Sequence, residues 1–468
     1  MSKDELYGIS SEGLAISPLD GRYSNIGRRL APYFSEYGLV KYRVWVEVNW
    51  LIFMLENLKE SSVLEVFPKG RIPEILNIYE SFCGESFARV KEIEATTNHD
   101  VKAVEYYIDE ELEALGMNEL VSYVHIGCTS EDITNIAYAK ILKSALEEVW
   151  IPEAEKLISS LENFANRYAD TSMLAHTHGQ PATPTTVGKE FAVYVHRLRE
   201  SLNYVKSIEP LAKFNGATGN YAAISIAFPN MNWPKFNRRF IEKKLGLNFN
   251  PVTTQIESHD YMCHLFDAIR HFDNVVRDLD QDMWLYISME YFILKVVKGE
   301  VGSSTMPHKV NPIKFENGES NVDMSNAIFM ALSNKLPVSR MQRDLSDSSS
   351  QRNIGIAFGY SLQAITQTIS GMGRVRVNTE KIAEDLAGNW EVLAEPIQTM
   401  LRKYGIPNAY EQLKELTRGK KMSKEDIHRF IKSLDVLSVE DRNILLNLTP
   451  ESYIGYACQI AEETAQKK

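Results

Sequence analysis

Eleven consecutive residues hold the densest chemistry in the chain: Gly302-Ser303-Ser304-Thr305-Met306-Pro307-His308-Lys309-Val310-Asn311-Pro312. A glycine-led polar loop offers backbone amides to an anion, and Pro312 suits the first turn of a following helix. The hydroxyls of Ser303 and Ser304, the Lys309 ammonium and the Asn311 amide stand together on it. Such a loop can close over a substrate, exclude water and bring a serine oxygen to a carbon-bound proton. A lone Gly-Ser-Ser would read as an exposed turn; the whole string says more. A second segment, His176-Thr177-His178-Gly179-Gln180-Pro181-Ala182-Thr183-Pro184, holds two histidines. Imidazoles bind metals or move protons near neutral pH, but no carboxylate or cysteine stands nearby to complete a ligand set. The third, His125-Ile126-Gly127-Cys128-Thr129-Ser130-Glu131-Asp132, places Thr129 and Asp132 at capping-box spacing, and the helix start they define would welcome a carboxylate.

Long helical patterns must position these segments. Leu265, Ile269, Phe272, Val276, Leu279, Met283 and Ile287 form one apolar stripe, predicting a helix from about His259 to Met289 that contains neither glycine nor proline. Ile133, Ala137, Ile141 and Ala145 mark another after Asp132, with Pro152 permitting a kink or restart. Further helices are expected over Ser35–Leu58, Pro184–Val205, Pro312–Leu336 and Arg352–Ile369, whereas period-two alternation is short and rare. The fold class is therefore all-α: a long central helical bundle with smaller N- and C-terminal helical domains. We divide it as 1–120, mainly helical; 121–368, the long-helix bundle with the catalytic segments; and 369–468, shorter helices separated by turns at Gly388-Asn389, Gly405-Ile406-Pro407 and Arg418-Gly419. A length of 468 residues exceeds what one core usually serves, and helices longer than the usual ~11–12 residues point to packing against other subunits.

Composition excludes several classes. A net charge of −11 disfavours nonspecific nucleic-acid binding, which needs a broad basic surface, so an anionic ligand must meet a local basic pocket. No uncharged apolar run approaches the roughly 20 residues needed to span a bilayer. The start Met1-Ser2-Lys3-Asp4-Glu5-Leu6 lacks the order of a secretion signal, so a cytoplasmic location is expected. Cys83, Cys128, Cys263 and Cys458 lie far apart and read as reduced core residues, not as a disulfide framework or a thiolate metal site.

The Gly302–Pro312 string resembles the signature of the fumarase and aspartase superfamily, whose members release fumarate or a close relative by anti elimination. The residues after Met306-Pro307, with Pro312-Ile313-Lys314-Phe315-Glu316-Asn317, resemble the branch that cleaves adenylosuccinate, and the likeness runs from Asp20 through Asn389–Pro396 to Tyr410–Gly419. It implies a fumarase-like bundle, a homotetramer whose sites each draw on three subunits, and chemistry with no cofactor and no metal. The reactions implied are release of fumarate from adenylosuccinate, giving AMP, and from succinyl-aminoimidazole-carboxamide ribotide. Residue by residue, the resemblance makes Ser303 the base, with Ser304 the neighbour most easily confused with it, and His178 the acid, oriented by Glu316. Lys309 and Asn311 join loop amides around the developing carbanion. His125 is auxiliary; Thr129, Ser130 and Gln255 face the succinyl portion; Asn317 completes the substrate contacts beyond the loop. Arg22 and Tyr23, with Asn98, His99 and Asp100, fall in nucleotide-binding segments, and Arg343, Ser348 and Arg352 form the phosphate and ribose cradle. His176 stands where some relatives have arginine and takes no role. Two rivals remain: another lyase or cycloisomerase of the superfamily, opposed by the nucleotide patches, and a catalytically silent scaffold, opposed by the intact Ser303, Lys309, Asn311 and His178.

Overall fold

The computed structural model describes residues 10–419 and 421–466; the segment Met1–Leu6 lies outside them. Helices dominate and strands are two or three residues long, an all-α helical-bundle fold. Helix α1 (Glu36–Asn57) starts where Ser35 Oγ accepts from Gly38 N at 3.1 Å, and nearly all of its apolar residues from Leu39 to Leu55 are buried. Helix α2 (Asp100–Ala114) is capped by His99, whose Nδ1 accepts from Lys102 N at 3.1 Å. Helix α3 (Ser130–Ala145) runs into a π-helical turn, Leu146–Trp150, before α4 (Ile151–Arg167). Pro152 explains the interruption, because it lacks the amide that a continuous helix would use there. The long helices α5 (Val187–Ser207), α6 (Asp260–Ser288), α7 (Ile313–Lys335) and α8 (Ile354–Met372) follow.

Two sequence expectations change. The helix expected from Pro184 begins at Val187, because Thr185–Thr186 pair with Ser172–Met173 as a short antiparallel ladder. The cysteines are free, but Cys83 is exposed and the other three are only half-buried, so they are not core residues. No helix among the described residues is long and apolar enough to cross a membrane.

Contacts group the chain into two compact units, each assembled from separated stretches. One comprises residues up to 153 with 201–273 and 321–364; the other comprises 154–200, 274–320 and the chain from 365 onward. In the first, Trp50 packs 4.5 Å from Phe214 and 5.1 Å from Phe240, and Trp150 packs 5.1 Å from Phe272 (ring centroids). Beside that core lies a buried polar chain: Trp150 Nε1 donates to Ser361 Oγ at 2.9 Å, Ser361 Oγ to Asp273 at 2.8 Å, and Ser325 Oγ to the other Asp273 oxygen at 3.0 Å. In the second unit, Phe164 meets Phe191 at 4.5 Å. Gly318 is required there, since a Cβ would sit 2.0 Å from Asp280 Oδ2. The shorter C-terminal helices close on their own cluster of Leu393, Ile397, Leu401, Leu413, Ile427, Ile431 and Leu445.

Burial pushes the Asp273 carboxyl up to about 7, against the opposing pull of Ser361 and Ser325. A carboxyl whose folded pKa is raised binds more protons folded than unfolded between about pH 4 and 7, so stability falls as pH rises through that window. The upper bound of this loss is on the order of 4 kcal/mol. Asp273→Asn keeps the shape and removes the charge. Thermal unfolding from pH 5 to 8 should show its stabilisation over wild type growing with pH and levelling above pH 7; equal midpoints at pH 8 would contradict the assignment.

Candidate active site

The first unit gathers most of the residues expected to bind the nucleotide and succinyl groups. At the start of α3, Asp132 Oδ2 accepts from Thr129 N at 2.9 Å, forming one half of the expected cap. The same carboxylate meets Lys213 Nζ at 2.9 Å, with both side chains at most 1% exposed, and accepts from the amides of Asn215 at 2.9 Å and Gly216 at 3.1 Å. This network clamps the 213–219 loop against the helix start. Gln255 joins it by donating to Ala217 O at 3.1 Å. Gly219, with φ +77°, allows that approach, because a Cβ would lie 2.2 Å from Thr253 O.

Arg343 reaches the same helix start, 3.0 Å from Glu131 and 2.9 Å from Asp347. Close by, buried His259 is held neutral: desolvation lowers its pKa to about 4, and Gln351 Nε2 lies 2.9 Å from its Nε2. Arg352 donates to Ser348 Oγ at 2.8 Å and to Asp100 at 3.2 Å, while Arg43 takes the same Asp100 oxygen at 2.9 Å. Burial works to raise the Asp100 pKa, but the two guanidiniums outweigh it and hold the carboxyl below its ordinary value. Asn98 precedes this group in the left-handed conformation, φ 51°, closing one helix before α2 opens. His125, also left-handed at φ 58°, places Nδ1 2.6 Å from Glu47. Arg22 is exposed and Tyr23 half-buried. No hydrogen bond or ion pair among the described residues joins either to the cluster.

The second unit holds the residues expected to move protons. His176–Thr177 (β1) and Gln180–Pro181 (β2) form a two-residue hairpin with His176 opposite Pro181. Its tip is His178-Gly179, with φ +54° and +71°, as a type I′ turn requires. The turn leaves His178 exposed, while His176 packs on Tyr291 with ring centroids 6.0 Å apart. In the polar loop, Ser303 Oγ accepts from Thr305 N at 3.2 Å and Met306 N at 3.0 Å. Among the described residues, Ser304 Oγ accepts from no backbone amide and has a 3.5 Å contact with Thr305 Oγ1. Asn311 Nδ2 ties the loop ends by donating to Gly302 O at 2.7 Å. A hollow of about 130 Å³ lies beneath, lined by Val297, Val301, Pro312 and Phe315. Pro312 precedes α7, and its carbonyl accepts from Glu316 N at 3.3 Å. The expected pairing of Glu316 with His178 is not formed among the described residues, where Glu316 accepts from Trp284 Nε1 at 3.2 Å; the exposed Lys309 ammonium makes no hydrogen bond or ion pair among them. Asn317 lies half-buried on α7. No group of three or more His, Cys, Asp or Glu among the described residues has the arrangement of a metal site.

Sequence reading missed Glu47 and Glu105 around His125, Lys213 beneath Asp132, and the carboxylates that hold Arg343. Glu47 left a trace: with Arg43 it is a charged i, i+4 pair inside an apolar helical run. Lys213 left none, since its partner lies about eighty positions away.

A lyase family model matches residues 21–323, the stretch that bears all three polar segments. The hairpin, the loop and the helix bundle thus define a helical lyase. A second model, described as adenylosuccinate lyase C-terminal, matches residues 339–454. The chain is 46% identical to the adenylosuccinate lyase of Escherichia coli strain K12 and to that of Buchnera aphidicola from Schizaphis graminum, in both cases over 96% of this chain and 98% of the relative. The chain belongs to the adenylosuccinate lyase family. Solved structures share the fold at low identity: a fumarate lyase from a Mesorhizobium species has a TM-score of 0.76 at 17% identity, covering 94% of this chain and 98% of that one. The 3-carboxy-cis,cis-muconate lactonizing enzyme of Pseudomonas putida has a TM-score of 0.72 at 19% identity, covering 93% and 96%.

The loop base is the tightest point in this geometry. A Cβ on residue 302 would lie 2.0 Å from Lys309 O, so Gly302→Ala must part the loop ends and displace Ser303. Displacements near 1 Å can cost about 100-fold in rate. Turnover should fall by about that factor with the helical circular dichroism unchanged; turnover within about threefold of wild type would show that the loop base tolerates opening.

Proposed function

We propose that this chain eliminates fumarate from adenylosuccinate, giving AMP, and accepts succinyl-aminoimidazole-carboxamide ribotide in the same site. The observation that carries the reading is the Ser303 oxygen, which accepts from two amides of its own loop at the position where the family resemblance places the base. An ordinary serine hydroxyl is far too weak an acid to supply alkoxide at neutral pH. Amide donors aimed at the oxygen favour its ionised form, the more so once a substrate expels water.

Ser303 removes the proton from the succinyl carbon next to a carboxylate. The electron pair spreads into that carboxylate as a transient carbanion, then forms the fumarate double bond as the carbon–nitrogen bond breaks. His178, on the opposite face, protonates the departing purine nitrogen. The helix start at Thr129-Ser130, the loop amides, Lys309 and Asn311 stabilise the charge that develops between these steps. The basic groups Arg343 and Arg352, with Ser348, Asn98, His99 and Asp100, take the nucleotide; Gln255 takes the succinyl group, and Arg22 and Tyr23 close over the nucleotide. Glu316 does not meet His178 among the described residues, which supports the shared sites that the family resemblance implies: the active enzyme is a homotetramer in which different copies supply the proton-transfer and binding groups, working in the cytoplasm.

Positioned acid–base groups contribute about 10²–10⁴-fold each. Incubating the protein with adenylosuccinate should yield AMP and fumarate by ultraviolet assay. His178→Ala and Ser303→Ala should each lower kcat by about that factor with little change in KM, and equal losses in both parameters would contradict the assigned roles. Mixing the two inactive variants should restore part of the activity through subunit exchange, whereas verified exchange without recovery would argue for sites built from one chain.

A further inference from the structure

Glu47 is a carboxylate where helix packing asks for none. It sits between Val46 and Val48 in the apolar run of α1, and its side chain is 0% exposed. One oxygen lies 2.6 Å from His125 Nδ1; the other, Oε2, is buried without a hydrogen-bond partner. A buried carboxylate is tolerated only where an opposite charge compensates it, and His125 is the group within reach. The histidine is held from the backbone too, by its left-handed φ of 58° and by Gly127 at φ +72°, where a Cβ would meet Ile224 at 2.5 Å. His125 is itself 15% exposed through its side chain, four residues before Thr129, the N-cap of α3.

Among the described residues, the carboxylates around the imidazole come from three helices. From α1 comes Glu47, whose own pKa burial raises while the charge and hydrogen bond of His125 pull it back down. From α2 comes Glu105, 3.6 Å from Nε2 and itself held by Lys102 Nζ at 2.6 Å. Asp109 lies one turn further along α2, pushed up to about 6 by its own burial and by Glu105. From α3 comes Asp132, already paired with Lys213. The sum around the ring is negative. Burial opposes the imidazolium, but Glu47, Glu105 and Asp132 outweigh it and raise the His125 pKa.

We propose that Glu47 is a positioning residue that holds His125 as an imidazolium, with Nε2–H presented to an anionic oxygen of the substrate, a phosphate or a carboxylate, beside Thr129-Ser130. The proposal rests on the elimination of fumarate from a succinylated nucleotide argued above, and it gives His125 a defined charge and direction. Nδ1–H donates to Glu47, so that only Nε2 is left for a ligand, and Glu105 fills that direction when no ligand is bound. An anion arriving there gains a charge-assisted hydrogen bond without the site having to reorganise.

The test measures binding of AMP and, separately, fumarate by calorimetry from pH 6 to 9, for wild type, Glu47→Gln, Glu47→Asp and His125→Gln. In wild type the affinity of the responding ligand should fall as pH rises through the elevated His125 pKa. Glu47→Gln should move that fall to lower pH, leaving affinity near wild type at pH 6 and about tenfold weaker at pH 8. KM should rise more than kcat falls, and Glu47→Asp should restore most of the loss. A response confined to AMP identifies the phosphate as the anion; one confined to fumarate identifies a carboxylate. His125→Gln combined with Glu47→Gln should bind no more weakly than His125→Gln alone. Parallel pH curves for wild type and Glu47→Gln, or equal loss at pH 6 and 8, would overturn the proposal in favour of a packing role. Should Glu47→Gln not fold, the imidazole titration of His125 in wild type, assigned by His125→Gln, decides: a midpoint above 6.5 supports the proposal and one below 6.5 overturns it. A wild type that shows the pH-dependent anion binding yet cleaves no adenylosuccinate would sink the functional reading and leave this one standing.

Discussion

The fully buried ion pair between Asp132 and Lys213 is the constraint on which the segments proposed to bind the substrate depend. Neither charge would survive alone in that environment, because removing one partner leaves an uncompensated charge out of water. Together they convert the first turn of α3 into a junction. Asp132 caps Thr129, pairs with Lys213 and accepts two amides of the 215–216 backbone. Through that loop Gln255 is brought in, and through the adjacent Glu131 so is Arg343. The Asp132 carboxylate therefore ties the start of α3 to the 213–219 loop, and its neighbour Glu131 ties Arg343 to the same turn.

The groups proposed to transfer protons are built on the opposite principle. His178 stands at the tip of a two-residue hairpin and Ser303 in a loop closed by the Asn311 amide and the bare backbone of Gly302. Both are exposed or half-buried rather than locked in a core. Chemistry that must exclude water only after the substrate arrives favours such placement. The Ser303 oxygen is nevertheless not free to wander, since two amides hold it, and that separates it from Ser304 more sharply than sequence could.

Much of the fold was legible because its signals are long. The apolar stripe from Leu265 to Ile287 marked a helix from about His259 to Met289, and the helix runs from Asp260 to Ser288. Ser35 and the Thr129/Asp132 spacing located two helix starts. The hairpin around His178 was not legible: strands of two residues carry no alternation, and His-Gly is a weaker turn signal than Asn-Gly. The family motif supplied residue roles, but not the charges that set them. Glu47, Lys213 and Arg43 acquire their partners through packing across the chain, and only Glu47 and Arg43 betrayed themselves, as charges within an apolar helix. The two compact units could not be read either, since each is assembled from stretches that the chain visits more than once.

The central claim is that a loop hydroxyl and a hairpin imidazole act on opposite faces of one succinylated purine. The most direct measurement is a crystal structure of the inactive His178→Ala protein with adenylosuccinate bound. The account predicts Ser303 Oγ, not Ser304 Oγ, within about 3.2 Å of the succinyl carbon that bears the departing proton, with the space vacated by the imidazole on the other face, beside the purine nitrogen. A nucleotide bound away from Ser303, or with residues 178 and 303 on the same face, would contradict it.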